Sequence, residues 1–247
     1  MKQTGVRRFK RLIQRWRQAI FGMENRYKTL STPEVFDKIY SDCAWGRDSE
    51  GGPTSGAGSR EENIVGPYVA ALSTLISLHR CHTVVDIGCG DFEVGQQLLP
   101  LAGRYLACDV SDVILQRNRR KFTAPNLEFR QLNLATDELP SGDIALVRQV
   151  LQHLSNSEIQ AFVNGLHRAE PYRFLVVTEH LPAGTRFTPN LDKRAGPKIR
   201  LSLESGVELD APPFNLRFVR KEVLLEVPFD IEDREALIRT TLYEMRA

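Results

Sequence analysis

Ten residues constrain this chain more than any others: Thr83-Val84-Val85-Asp86-Ile87-Gly88-Cys89-Gly90-Asp91-Phe92. A β-branched run ends in an acid, passes through Gly-x-Gly and enters a helical pattern. That order predicts a buried strand, a tight turn and a helix N-terminus. Glycines at 88 and 90 permit positive φ and let a ligand lie against the backbone. Asp86 falls at the strand end, the edge that meets ligands in an open parallel sheet.

The acid and the third position of the turn narrow the ligand. A dinucleotide turn places a small residue where this chain has Glu93. A carboxylate there, with Asp86 just upstream, opposes a pyrophosphate and suits a cation such as the ammonium of an amino acid. A second short strand, Tyr105-Leu106-Ala107-Cys108-Asp109, ends in another acid 23 residues after Asp86. That interval is close to the one for a carboxylate gripping a ribose diol. S-adenosylmethionine combines an ammonium, a sulfonium and a ribose diol, and has no phosphate.

The run D-I-G-C-G followed by C-D-V-S resembles the class I S-adenosylmethionine-dependent methyltransferases over roughly residues 60–247. The stretch Trp45-Gly46…Ser55-Gly56-Ala57-Gly58-Ser59 resembles the segment ahead of the core in a bacterial group of uncertain, small-molecule or glycan-type substrate. The resemblance implies that Asp86, Gly88, Cys89 and Gly90 line the methionine end of the cofactor and that Asp109, with Val110, holds the ribose. Asn133 and Leu134 would flank adenine, Asn133 standing where the family usually has an acid. Gln149, just after the fourth strand, would flank the methionine moiety.

The rest of the chain alternates strand and helix. Strands are predicted at 83–87, 104–109, 127–132, 143–148 and 174–178, with helices at 61–80, 92–101, 112–122 and 156–169 between them. Ser155 and Glu158 fit a capping box. Two more strands, 223–227 and 237–242, are joined too closely for a crossover helix, so one is expected to be antiparallel. The fold class is therefore α/β: a Rossmann-like, doubly wound, seven-stranded, mostly parallel sheet with one antiparallel strand in its edge region, plus N-terminal helices.

Ahead of that domain (61–247) lie two segments. Residues 29–60 hold a helix opened by Ser31 and Glu34, or by Thr32 with Pro33 in the first turn, and then a Gly-rich loop of lid-like composition. Residues 1–28 place Val6, Phe9, Ile13, Trp16 and Ile20 on one helical face, amid nine Lys/Arg against one Glu. The remaining 219 residues hold 24 Lys/Arg and 30 Asp/Glu, so the catalytic body is mildly acidic and no extended nucleic acid is expected on it. The basic helix suits peripheral contact with an anionic membrane surface. The alternative readings are an RNA methyltransferase with a basic arm and a catalytically silent binding domain of the same fold.

Nothing reads as a spanning helix, a secretory signal or a metal-ligand spacing. Cys43, Cys81, Cys89 and Cys108 read as free thiols in a reducing cytosol, so the expected location is cytoplasmic, with association at the inner membrane surface as the option the basic helix opens. For the acceptor, His153 after the fourth strand and His180 after the fifth are the candidate bases, with Glu179 orienting His180 or binding the acceptor. The place of the Asn/Asp-Pro-Pro-Tyr/Phe motif of base methylation reads Val147-Arg148-Gln149-Val150. Ala211-Pro212-Pro213-Phe214 comes far too late for that role and is expected to wall the acceptor pocket. A small molecule, a sugar or a lipid-linked glycan hydroxyl is the expected acceptor, methylated on oxygen by in-line displacement.

Overall fold

The computed structural model describes residues 27–184, 186–229, 231 and 234–246; the basic segment expected to form a helix at 1–28 lies almost entirely outside the described residues. Seven strands form one sheet: β1 (Thr83–Ile87), β2 (Arg104–Asp109), β3 (Leu127–Gln131), β4 (Ile144–Arg148), β5 (Phe174–Pro182), β6 (Arg220–Pro228) and β7 (Ala236–Glu244). Their spatial order is β3-β2-β1-β4-β5-β7-β6. β1 to β5 are mutually parallel, and β7 alone runs antiparallel, between β5 and β6. A parallel return from β6 to β7 needs a crossover of a dozen or so residues, and the short link available permits only a hairpin.

Five α-helices are described: α1 (Thr32–Ser41), α2 (Glu62–Leu78), α3 (Gly95–Leu98), α4 (Asp112–Lys121) and α5 (Asn156–Ala169). The capping boxes at Ser31/Glu34 and Ser155/Glu158 both form. The helix expected over 92–101 is shorter, a single α-turn followed by a 3₁₀ turn at Leu99–Leu101. Pro100 removes an N–H from that turn and holds the helix short.

The strands alternate their side chains between two cores. Val85, Ile87, Leu106, Cys108, Val147 and Leu175 face one, which α1 and α5 cover through Phe36, Ile39, Ile159 and Phe162. Val84, Tyr105, Ala107, Leu146 and Val176 face the other, covered by Tyr68, Leu72 and Ile76 of α2. Asp86 pairs with Ala107 and Leu146 in register, so it shares a sheet face with Asp109 and with Arg148, each two residues further on. Three charged side chains are thereby brought to one face at the carboxyl ends of three adjacent strands.

Candidate active site

The turn after β1 is built for close approach. Gly88 has φ 81° and Gly90 φ 55°. A Cβ on Gly88 would stand 2.2 Å from Val150 Cγ2, and one on Gly90 would stand 2.2 Å from Ser55 Oγ. Neither position admits a side chain. The backbone N–H groups of Gly88 and Cys89 both donate to Cys108 O at 2.8 Å, which stitches the turn to β2.

Above this turn lies a cleft of about 1050 Å³, counted out to its mouth. Asp86, Gly88, Cys89, Gly90, Asp109, Val110, Asn133, Leu134, Gln149 and His153 all line it. Asp86 accepts from Tyr105 Oη at 3.0 Å on one carboxylate oxygen. Asp109 accepts from Gly90 N at 3.0 Å and Ser111 N at 2.9 Å. Burial pushes the Asp86 carboxyl up to about 7; Asp109 adds to the rise, while the Tyr105 hydroxyl and Arg148 oppose it. Burial likewise lifts Asp109 to about 6, against the N–H groups of Ser111, Gly90 and Val110. Two buried carboxylates held this way favour a cationic guest, whose charge would restore their ionised forms. Asn133 accepts from Ala135 N at 3.0 Å through its side-chain oxygen, leaving the amide nitrogen as its free donor group.

The 42–61 loop, which contains the Gly-rich stretch of lid-like composition, is docked on the cleft. Ser55 N and Arg60 donate to Asp91 Oδ2 at 3.0 and 3.1 Å, and Asp91 N donates to Ser55 Oγ at 2.8 Å. Arg117 of α4 pairs with Asp48 in a nearly buried contact. Trp45 packs against the His153 ring at 5.0 Å, with Tyr40 at 5.5 Å from Trp45 and Phe36 at 6.0 Å. These rings form an aromatic wall that the helical spacing of Phe36 and Tyr40 signalled only as core.

His153 is buried, and its Nδ1 lies 3.2 Å from Gly196 O, so that nitrogen carries the proton and Nε2 the lone pair. Burial, then Lys193, pulls its titration down to about 3, so the ring is neutral at physiological pH.

Glu179 and His180 are not brought to the cleft. Sequence reasoning placed them on a loop after the fifth strand. β5 instead continues to Pro182, because β7 pairs with it there, His180 opposite Ile238 and Pro182 opposite Ala236. His180 is buried within that strand, with Nδ1 3.0 Å from Gln152 Oε1 and its ring on Phe229 at 5.4 Å. Both Glu179 oxygens accept backbone N–H groups, of Leu151 and Gln152, each at 2.9 Å. Glu179 therefore anchors the β4–α5 connector and makes no hydrogen bond to His180. The Ala211–Phe214 segment also stays away from the cleft: Phe214 is buried in the core beside α5. Glu93 does not line it either; it pairs with Lys121 at 2.5 Å. Among the described residues no group of three or more His, Cys, Asp or Glu is placed to hold a metal ion.

Sequence reasoning missed Tyr68, Tyr105, Ser55 and Arg148, all cleft-lining. Arg148 donates to Gly58 O at 2.6 Å and Ser59 Oγ at 3.2 Å, beneath the Tyr68 ring. Its signal was a lone basic residue ending an otherwise apolar strand.

This strand order, with an acid-flanked glycine turn at its centre, defines a class: the chain has the class I S-adenosylmethionine-dependent methyltransferase fold. A family model described as "Methyltransferase domain" matches residues 85–169. Solved structures agree in fold. Magnesium protoporphyrin IX methyltransferase (ChlM) from Synechocystis PCC 6803, with bound SAM, matches at TM-score 0.54 and 14% identity over 87% of this chain and 99% of that one. The N-terminal domain of EvdMO1, solved in the presence of SAH and D-fucose, matches at 0.52 and 15% over 89% and 99%. The N-methyltransferase NodS from Bradyrhizobium japonicum WM9, in complex with S-adenosyl-L-homocysteine, matches at 0.51 and 15% over 74% and 89%. No curated protein matches the sequence.

Proposed function

We propose that the protein methylates a small molecule, a sugar or a lipid-linked glycan, on oxygen, with S-adenosylmethionine as cofactor. The observation behind this reading is the carboxylate pair Asp86 and Asp109 on one sheet face, buried beside a glycine turn that excludes any Cβ. The residues fit the cofactor. Asp86 has one carboxylate oxygen without a hydrogen-bond partner among the described residues, suited to an ammonium, and Asp109 suits a ribose diol. Val110 and Leu134 offer apolar faces for a base, and Asn133 a donor for its edge.

When bound, the cofactor supplies a methyl group activated by a positive sulfur. What the chain adds is alignment, exclusion of water and control of one proton. Loop 42–61 excludes water by closing over the turn through Ser55, Arg60 and Asp91. Neutral His153 has Nε2 3.4 Å from Gln152 Nε2, a long contact that an acceptor hydroxyl would displace to be oriented against the ring. A docked loop and an aromatic wall suit a compact acceptor better than a polymer. D-fucose accompanies one structural neighbour and a porphyrin names another, which favours the small-molecule side.

Calorimetry with S-adenosylhomocysteine tests the cofactor, and mass-spectrometric detection of +CH₂ products across hydroxyl-bearing acceptors tests the reaction. Absence of both heat and thermal shift with the nucleoside overturns the reading. The basic segment 1–28 adds a proposal of its own, peripheral contact of a cytoplasmic enzyme with anionic membrane. Among the described residues no helix is long and apolar enough to cross one. Sedimentation with phosphatidylglycerol vesicles, lost on deleting residues 1–26 or in high salt, supports that contact. Equal retention by neutral vesicles refutes it.

A further inference from the structure

Gln152 lies buried between the two candidate histidines and belongs neither to the cleft wall nor to the hydrophobic cores. Its backbone sits in the 3₁₀ turn Leu151–His153, which Glu179 grips by the N–H groups of Leu151 and Gln152. Its side chain runs to the next residue of β5. β4 pairs with β5 only as far as Arg148 with Thr178, so the His180 N–H on that side has no strand partner. It donates instead to Gln152 Oε1 at 3.1 Å, and His180 Nδ1 lies 3.0 Å from the same oxygen.

A backbone N–H can only donate, so it fixes which end of the Gln152 amide is oxygen. The amide nitrogen is thereby turned to His153, with Nε2 to Nε2 at 3.4 Å. An amide nitrogen can only donate, so the ring nitrogen it meets carries the lone pair. The other ring nitrogen, Nδ1, faces Gly196 O at 3.2 Å, and a carbonyl can only accept. Two neighbours, one on each ring nitrogen, thus demand the same tautomer. Around the ring stand Lys193 and His180 as the titratable groups, the backbone of Gly196 and Lys198, and the rings of Trp45 and Phe36. Lys193 donates to His153 O at 3.0 Å, and its charge opposes a second proton on the ring.

We infer that Gln152 is the positioning residue of the acceptor side: it relays the polarity of the β5 backbone to His153, holding the ring neutral, protonated on Nδ1, with Nε2 as its one acceptor. This rests on the methyltransferase reading only for the use of that lone pair, which is to take the hydrogen bond of an acceptor hydroxyl. Because Oε1 is anchored by two donors, the amide stays in place when a hydroxyl displaces the long contact to Nε2. The His180 ring is secondary in this order, since its backbone N–H alone orients the amide.

The test is isotope-edited NMR of the histidine ring nitrogens in the full chain, without ligand, with the His153 signal assigned by its loss in His153→Ala. These nitrogens report charge and tautomer directly. Wild type should show His153 neutral and protonated on Nδ1 from about pH 5 to about pH 8. Gln152→Met removes the donor that opposes a proton on Nε2, so the His153 titration should rise by about 1–2 pH units. Gln152→Glu keeps an oxygen for the His180 N–H and sets its second oxygen at Nε2. There the titration should rise by about 3 units or more, with a proton on Nε2 at about pH 6. The near-isosteric Met variant stays readable if a buried glutamate prevents folding. His180→Phe keeps the backbone N–H and should leave the His153 tautomer unchanged. A wild-type ring protonated on Nε2 overturns the inference without any variant, as does a His153 titration that the folded Gln152 variants leave in place. A tautomer change in His180→Phe overturns it too, by moving the relay to the His180 ring. Failure of wild type to bind S-adenosylhomocysteine is a different result: it removes the methyltransferase reading and leaves these spectra untouched.

Discussion

Two clusters of buried charge lie a few residues apart at the carboxyl edge of the sheet, and they are built on opposite principles. Glu179 and Arg200 are saturated by the protein. Glu179 takes the N–H groups of Leu151 and Gln152, and Arg200 donates to Leu151 O at 2.9 Å, Leu154 O at 2.8 Å, Asn156 Oδ1 at 2.8 Å and Leu191 O at 3.1 Å. Between them they clasp the β4–α5 connector, donors on one side and acceptors on the other. Asp86 is buried and Arg148 and Gln149 are half-buried, and all three are only part satisfied. A buried charge with every valence filled internally is scaffold, and one with atoms left open awaits a guest. The strength of a pKa shift does not separate the two: burial pushes Glu179 up to about 8 and Asp86 up to about 7. Partner geometry does.

The sharpest way to break this distinction is to remove a scaffold charge. Arg200→Met leaves four acceptors without their donor and takes a nearby positive charge from Glu179, so unfolding in urea should show a loss of about 3–5 kcal/mol. Product affinity in the fraction still folded should change far less. A variant with wild-type stability and lost binding would reverse the assignment of the two clusters.

Next in size is the contrast between the histidines. His153 lines the cleft and His180 does not, so His153→Ala should lower turnover about 10²-fold, with His180→Phe costing less than about tenfold. With the His153 titration pulled down to about 3, no rise in rate from its deprotonation should appear above about pH 5. A rate that follows an ionisation near pH 6.5 and disappears in His180→Phe would restore His180 as the base.

Asp86→Asn sharpens the comparison through pH. The folded-state value near 7 lies above the ordinary carboxyl range, so the stability Asp86 contributes is complete below about pH 4 and is lost as pH rises through 7. The wild-type unfolding free energy should decline across that window, and the Asn variant should decline less. Affinity for S-adenosylhomocysteine should run the other way, rising with pH as Asp86 ionises toward the ammonium. In Asp86→Asn it should be about 10–100-fold weaker at pH 8 and nearly flat with pH. Parallel pH curves for variant and wild type would remove Asp86 from the site.

The sequence made one cluster readable and hid the other, for physical reasons. β1 to β5 are short, buried, β-branched runs, and a parallel strand covered on both faces has no other pattern to show. The spacing of Asp86 and Asp109 was legible because both sit at strand ends fixed by that pattern. Whether His180 stands on a loop or in a strand is decided by β7, some 60 residues later, and local reading ends β5 at Thr178. The 42–61 loop shows in its composition only that it is Gly-rich and lid-like, while the contacts that dock it depend on Asp91, Arg148 and Arg117 from three other elements. An arginine closing an apolar run looks like the end of a strand, and only the folded cleft shows that Arg148 faces inward.

Glu93 gives the smallest expected effect and separates a sound conclusion from a weak reason for it. A carboxylate in the third position of the glycine turn argued from sequence against a pyrophosphate. In the fold that carboxylate turns away from the cleft to Lys121, with Arg60 at 4.0 Å. The pair is partly exposed, so Glu93→Gln should change unfolding free energy by less than about 1 kcal/mol. S-adenosylhomocysteine affinity should move less than about twofold, because the residues facing the ligand are untouched. NADH should still not bind, since Asp86, Asp91 and Asp109 keep their charges in the cleft. Measurable NADH binding by this variant would mean that selection against phosphate acts at the turn's third position, and that the carboxylates lining the cleft do not decide it.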